Sequence, residues 1–255
     1  MLSPWEIAGL LGAGVVAGTV NTVVGSGSLL TFPTLIAFGY SPRVANVSNT
    51  LGLVPGSVSG ALAYRRELEG QRERLKPLVA VSLAGGAAGA ALLLLLPSDS
   101  FQRVVPYLVV LACAMVVAQP RLTLWMARRS ATTERSTERH LALYAGVFLT
   151  AVYGGYFGAA QGVLLIGLLG IFIDDHLQRL NAAKNVLTAA VNGIAGILFV
   201  LFASVAWLPA VLLAIGATVG GQIGAKVGRR LPADLLRLLI VVVGLAVAVK
   251  LFVWP

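Results

Sequence analysis

The sequence predicts an all-α polytopic membrane protein built from two inverted repeats of about five helical segments each, and three observations carry that prediction. The chain of 255 residues is 58% hydrophobic and 11% charged, with a mean hydropathy of +0.88. That is more apolar surface than a soluble core can hide. Its apolar residues fall into ten segments, two of them short. The order of features in the first half then recurs in the second.

The ten segments are 5–24, 28–39, 44–64, 77–96, 101–118, 141–161, 163–173, 180–203, 207–228 and 234–254. The first follows Met1-Leu2-Ser3-Pro4, with no basic region ahead of it, and is expected to be a retained helix and not a cleaved signal. It runs into Gly25-Ser26-Gly27-Ser28 and resumes as an apolar stretch of about a dozen residues, only ~18 Å at ~1.5 Å per residue against a bilayer core of ~30 Å. The third segment enters after Ser41-Pro42-Arg43 and carries Pro55, which predicts a kink. Leu96-Pro97-Ser98-Asp99 introduces the fifth segment as Leu231-Pro232-Ala233-Asp234 introduces the tenth. The seventh is the second short one, after the glycine-rich run 154–162. Gly52, Gly56 and Gly60, and Gly216, Gly220, Gly224 and Gly228, recur every fourth residue. Such stripes favour close helix packing and offer a surface for a homo-oligomer.

Charge orients the chain. Five basic residues lie in 65–76 and five more in 119–140; Lys226, Arg229, Arg230 and Arg237 bracket the ninth connection. Placing 65–76 in the cytoplasm puts the other basic loops there too, leaves Arg43 and Arg103 outside, and predicts both termini outside. The net charge of +9 therefore points to anionic lipid and not to nucleic acid, since the basic residues lie between apolar segments. Cys113 is the only cysteine, which excludes internal disulfides and multi-cysteine metal sites. Three regions are expected: a first transmembrane repeat, 1–118; a basic cytoplasmic linker, 119–140; and a second repeat, 141–255.

A shift of 136 residues lays Gly18 on Gly154, Leu29 on Leu165, Arg43 on Arg179, Asn49 on Asn185 and Gly60 on Gly196 without a gap. With five segments, an odd number, in each half, the halves must be inserted upside down relative to each other. The binding site of such a protein is expected near the midplane, where the broken helices meet. A glycine break at membrane depth is tolerable only where its freed backbone groups are buried in protein or line a wet cavity. The start of the second half-helix, Ser26 to Ser28, aims N–H groups and the positive end of its dipole inward, which suits an anion. Glycines that merely permit close packing are the competing reading of the same stretch.

The residues themselves favour an anion. All ten acidic side chains fall at segment ends or in loops, so the membrane interior holds no carboxylate to bind or relay a cation. Interior polar positions are neutral: Asn21, Thr22, Ser26, Ser28, Thr31, Asn46, Ser48, Asn49, Thr50 and Ser57 in the first half. In the second, Gln161 follows the break, and Asn181, Asn185, Thr188 and Asn192 share one helical face. Hydrogen bonding between helices is the alternative role for each of them. Lys184 is the one cation placed to contact substrate, unless its stem snorkels to the headgroups. Arg43 and Arg179 sit at equivalent tips and read as interfacial anchors. Asn49 and Asn185 are expected to share one cavity, donating to one ligand, and Leu at Gly27 to project into that cavity.

Glycine-rich breaks each followed by a short helix, then an Ala-x-x-(Ser/Thr/Asn) turn into a small-residue helix, duplicated over about 250 residues, resemble the sulfite exporter TauE/SafE family, the TSUP permeases. The resemblance covers nearly the whole chain. It marks Gly25, Gly27, Pro33, Asn46 and Ser48 to Thr50 in the first half, and Gly158, Gly162, Lys184 and Asn185 in the second. The sequence departs from the family pattern at Ser26 and Ser28, where a longer glycine run is usual, in lacking a second proline, and in carrying Lys184-Asn185 where a hydroxyl pair is usual. The resemblance implies transport of small sulfur-containing or carboxylate anions across the inner membrane of a prokaryote.

Two other classes compete. An intramembrane hydrolase would need a base beside Ser26 or Ser28, but His140 and His176, the only histidines, lie in loops. A cation or metal carrier would need clustered His, Cys and carboxylate ligands, which the segments lack. No catalytic residue, metal site or cofactor is expected, and the partners are a small anion and the lipid bilayer.

Overall fold

A computed structural model describes residues 2–129, 137–227 and 233–253. They form ten helices and, among the described residues, no strand: α1 (Pro4–Val23), α2 (Ser28–Ala37), α3 (Pro42–Ala63), α4 (Arg72–Leu95), α5 (Ser98–Arg129), α6 (Thr137–Tyr156), α7 (Gln161–Phe172), α8 (Leu177–Phe202), α9 (Trp207–Val227) and α10 (Ala233–Val253). Each expected segment is a helix. The ends differ most where charged residues continue an apolar helix into water. α4 takes in Arg72 to Lys76, and α5 runs on to Arg129 through half of the basic linker region. Five helices, α1, α4, α5, α8 and α9, contain stretches long and apolar enough to cross a membrane. The chain is a membrane-embedded, multi-pass helical protein. Leu95, Leu149, Phe202 and Val253 turn apolar side chains outward where a soluble protein would place charge.

The helices do not pack in chain order. α9 lies across α1 and α3, and α4 lies across α6 and α8. α2 packs on α10, and α7 on α5. Each of these contacts becomes its counterpart when every helix is exchanged for the one five places along; α3 with α8 and α5 with α10 are pairs that map onto themselves. Packing is thus duplicated along with the sequence.

Small residues make the tightest of these crossings. A Cβ on Gly56 would lie 2.7 Å from Ala217 Cβ, and one on Gly224 would lie 2.7 Å from the Thr19 carbonyl. The glycine stripes of α3 and α9 are therefore filled inside a single chain. Between the helices lie Leu29, Phe32 and Leu35 of α2, and Leu165, Ile166 and Leu169 of α7, all buried. The short helices are enclosed by the long ones; of the breaks ahead of them, Gly25 to Ser28 are buried, whereas Tyr156 and Gly158 stay partly exposed.

Close approach at Gly56 predicts a position-specific sensitivity. Gly56→Val should lower the apparent Tm of the detergent-solubilised protein by an overpacking cost of about 1–3 kcal/mol. Gly12→Val, where a Cβ meets nothing within 4 Å, should leave the Tm nearly unchanged.

Candidate functional site

The site is two helix breaks pressed together. α1 ends as the Val24 and Gly25 N–H groups both donate to Val20 O, at 2.7 and 3.1 Å. α6 ends the same way, with Phe157 and Gly158 N–H groups donating to Tyr153 O at 2.9 and 3.2 Å. Gly25 and Gly158 both adopt positive φ, +89° and +75°, the left-handed closure that releases a helix from its path. The breaks thus correspond at a spacing of 133 residues, whereas Asn49 and Asn185 downstream correspond at 136. The second-half helix α7 is two residues longer than α2. Both are short, ~15 and ~18 Å at ~1.5 Å per residue.

The breaks touch backbone to backbone. Gly162 N–H donates to Gly25 O at 3.0 Å, and a Cβ on Gly25 would lie 2.5 Å from Gly162 Cα. Neither glycine leaves room for a side chain. Gly27 is confined too, since its Cβ would fall 2.9 Å from Asn21 Cβ and against the Ala17 carbonyl. A leucine there runs into α1 and not into a cavity, contrary to the expectation from sequence. Ala160, fully buried ahead of α7, is left-handed at φ +58°, a conformation that costs a non-glycine residue about 1–2 kcal/mol.

Every freed carbonyl but Val23 O at the end of α1 has a donor. Lys184 Nζ donates to Asn21 O at 2.9 Å and Thr22 O at 3.2 Å. Asn181 and Asn185 amides add bonds to Thr22 O at 3.1 and 3.4 Å. Gln119 donates to Val24 O at 3.3 Å, and Gly162 takes Gly25 O. Lys184 is 1% exposed and so does not snorkel; it lies two turns into α8, pointing across the protein. None of its partners is a carboxylate, and α1 after Glu6, α2, α3, α7 and α8 contain no acidic residue at all. The result is a buried lysine nitrogen whose protein partners are dipoles only.

The second break is held reciprocally: Asn46, on α3, donates to Tyr156 O at the end of α6 at 3.0 Å. Nearby, the Thr31 hydroxyl donates to Asn49 Oδ1, which leaves the Asn49 amide N–H groups without an acceptor among the described residues. Asn21 and Asn192 amides meet on Ser57 Oγ, at 3.3 and 3.4 Å. The Ser26 and Thr188 hydroxyls, the Asn46 Oδ1 and both polar atoms of the Gln161 amide are buried with no hydrogen-bond partner. At the start of α2, no hydrogen bond uses the N–H of Ser26, Gly27 or Ser28, whereas α7 gives one of its first amides to Gly25.

Of the residues expected from sequence, Asn21, Gly25, Ser26, Gly27, Ser28, Asn46, Asn49, Gly158, Gln161, Gly162, Asn181, Lys184 and Asn185 border these two breaks. Thr188 shares the buried face of α8. Thr50 bonds back to the Asn46 carbonyl at 2.9 Å, and Ser48 accepts the Ala206 N–H at 2.9 Å, so both serve the scaffold. Asn49 and Asn185 differ in use: one keeps its N–H groups, the other donates to Thr22 O. The carbonyls of Asn21, Thr22 and Tyr156 were not anticipated. The signal for them was available, because a helix that ends inside the membrane leaves its last carbonyls as well as exposing the next helix's N–H groups.

At the far ends of the helices the tips differ. Arg43 donates to Leu94 O at 2.9 Å and Leu96 O at 3.3 Å. Its counterpart Arg179 pairs with Asp175 at 2.9 Å, and Asp175 also pairs with Arg74 at 2.8 Å.

With this geometry in hand, comparison with known proteins is direct. The profile of the sulfite exporter TauE/SafE family matches residues 10–251. The chain belongs to this family. It is 26% identical over 262 residues to a probable membrane transporter protein, ORF9, of Sinorhizobium sp, covering 98% of this chain and 93% of that one. It is 27% identical to the probable membrane transporter YfcA of Escherichia coli K12, covering 98% and 91%, and 22% identical to a probable membrane transporter of Haemophilus influenzae. No solved structure matches it significantly. The chain is accordingly a membrane transporter of the TauE/SafE family.

The Asp175 cluster yields a pH expectation. Burial by itself would raise the Asp175 pKa, but hydrogen bonds from Arg74, Arg179 and the His176 N–H outweigh it and hold the carboxyl below its usual value. Its stabilisation is complete above the unfolded-state pKa of about 4 and is lost as pH falls through the lower folded value. Because both arginines are about one-third exposed, the loss should be only ~0–1 kcal/mol. In Asp175→Asn, Tm measured from pH 7 down to pH 3 should start lower than in the unmodified protein and converge with it at the acid end.

Proposed function

We propose that this transporter moves a small anion, namely sulfite, an organosulfonate or a related sulfur-containing or carboxylate anion, across the cytoplasmic membrane. The observation that carries the reading is Lys184. A buried charge without a counter-charge is costly, and here its protein partners are only carbonyl oxygens. A small anion arriving at the break supplies that counter-charge. The uncommitted N–H groups of Ser26 to Ser28 at the positive end of α2, the Ser26 hydroxyl and the Asn49 amide offer it neutral donors. Neutral donors add affinity without adding a second fixed charge that would hold the anion too long for release. Sulfite is favoured within this class by the family's description. The two repeats are read as inverted, with loops 65–76 and 119–140 on the cytoplasmic side, in keeping with the excess of Lys and Arg there.

The decisive measurement is uptake of labelled sulfite, simple sulfonates and carboxylates by purified protein in lipid vesicles. Lys184→Met should weaken binding of the transported anion about 10- to 150-fold, the equivalent of losing one hydrogen bond to a charged group, while Lys184→Arg should retain part of it. Equal uptake by the unmodified and Lys184→Met proteins would overturn the assignment of charge.

Topology is checked separately. With Cys113 replaced by Ser, single cysteines placed in 65–76 and near residue 2 should label from opposite sides of intact cells. Labelling of both from one side removes the inverted arrangement.

A further inference from the structure

The two breaks are built alike but charged differently. At the first, the carbonyls of Asn21 and Thr22 accept hydrogen bonds from Lys184 Nζ. The spacing of 133 residues that relates Gly25 to Gly158 puts Gly154 and Gly155 in the places of Asn21 and Thr22. The spacing of 136 that relates Asn49 to Asn185 puts Ser48 in the place of Lys184. Ser48 brings no charge, and its hydroxyl is turned to the Ala206 N–H. Among the described residues, the only side-chain donor to the last turn of α6 is Asn46, at Tyr156 O.

Oxygen acceptors nevertheless accumulate there. The Asn46 amide is anchored at Tyr156, and its Oδ1, in a side chain 1% exposed, has no donor. Gln161, also 1% exposed, lays its amide against Gly154: a Cβ on that glycine would lie 2.5 Å from Gln161 Oε1. The Gln161 Oε1 also has no donor. These two amide oxygens sit at the negative end of α6, where the helix dipole favours positive charge. The second break is therefore the first break without its cation.

We infer that the second break binds a dissociable sodium ion, held by Asn46 Oδ1, Gln161 Oε1 and carbonyl oxygens of the last turn of α6. Neutral oxygen ligands suit a monovalent ion. A divalent cation is far harder to dehydrate without carboxylates, and the break offers none. Potassium, the larger alkali ion, is the competing occupant that the test below separates from sodium. Sodium at α6 and Lys184 at α1 then place two positive charges at the touching breaks, one fixed and one that comes and goes. If the anion reading above holds, sodium occupancy raises anion affinity and the two move together, which names the coupling ion. Absence of interior carboxylates, which argues against a carrier of metal ions, leaves this kind of site open, because half-helix C-termini and side-chain amides can supply all of its ligands.

The test uses the purified full-length protein in detergent, melted in sodium, potassium or N-methylglucamine chloride at equal ionic strength, with no other anion. Sodium should raise Tm saturably, as expected of a ligand that binds only the folded state, while the other two salts should not. Gln161→Leu should lose the shift. Gln161→Lys, which supplies an ammonium in place of the ion, should melt at one temperature in all three salts. Equal Tm values for the unmodified protein in the three salts would overturn the inference without any variant, and so would a sodium shift that survives in a folded Gln161→Leu, since the amide oxygens would then be holding water. In vesicles, an inward sodium gradient should drive labelled sulfite uptake. Sulfite uptake indifferent to sodium, in a protein with no sodium-dependent melting, defeats this inference and spares the anion reading. A sodium shift in a protein that moves no anion does the reverse.

Discussion

The controlling constraint is the peptide group that loses its helical partner inside an apolar medium. Each unsatisfied N–H or C=O in such surroundings costs several kcal/mol, so a chain that breaks two helices at membrane depth must supply replacements. Here they come from far along the sequence. α8 serves the end of α1 through Asn181, Lys184 and Asn185, and α3 serves the end of α6 through Asn46. The crossings of α9 over α1 and α3, and of α4 over α6 and α8, made close by glycine, hold these helices together. Scaffold and candidate site thus share their residues: the groups that pacify a broken backbone are also those the proposed site draws on.

Duplication of a fold does not require duplication of its chemistry. Packing partners exchange between halves almost without exception, yet the polar groups at the two breaks have diverged. Lys184 has no equivalent near Ser48, Gln161 stands where the first half has Ser28, and only α7 commits one of its first amides to the other break. A symmetric scaffold supplies two similar cradles, and substitutions at a handful of positions give them unlike electrostatic character.

Much of this was legible in the sequence. The ten segments, the two short helices, the glycine breaks and the polar face of α8 follow from apolar periodicity and from glycine and proline placement, which are local signals. Partners were not legible. That Lys184 turns inward to Asn21 and Thr22 instead of reaching for the headgroups depends on α8 lying beside the end of α1, a contact spanning 163 residues. Asn49 and Asn185 are equivalent by position, but whether an amide keeps or spends its N–H groups is decided by neighbours such as Thr31 and the Thr22 carbonyl. Gly27 illustrates the same limit: a glycine can be recognised as necessary without revealing that the necessity is the Ala17 carbonyl behind it. At 119–129 the basic residues marked the end of the apolar segment but not of the helix, since α5 continues through them to Arg129.

The bonds that cap α1 also impose an order of events during synthesis. Thr22 and Lys184 are 162 residues apart, and ribosomes add roughly 5–20 residues per second. The end of α1 therefore exists for about 8 to 30 s before its cap has been made. Throughout that interval its carbonyls must be kept from lipid by something other than this protein's own second half. The insertion machinery, or retention of α1 and α2 at a hydrated interface until α8 arrives, has to bridge the wait, and the broken helices settle at their final depth only late in biogenesis.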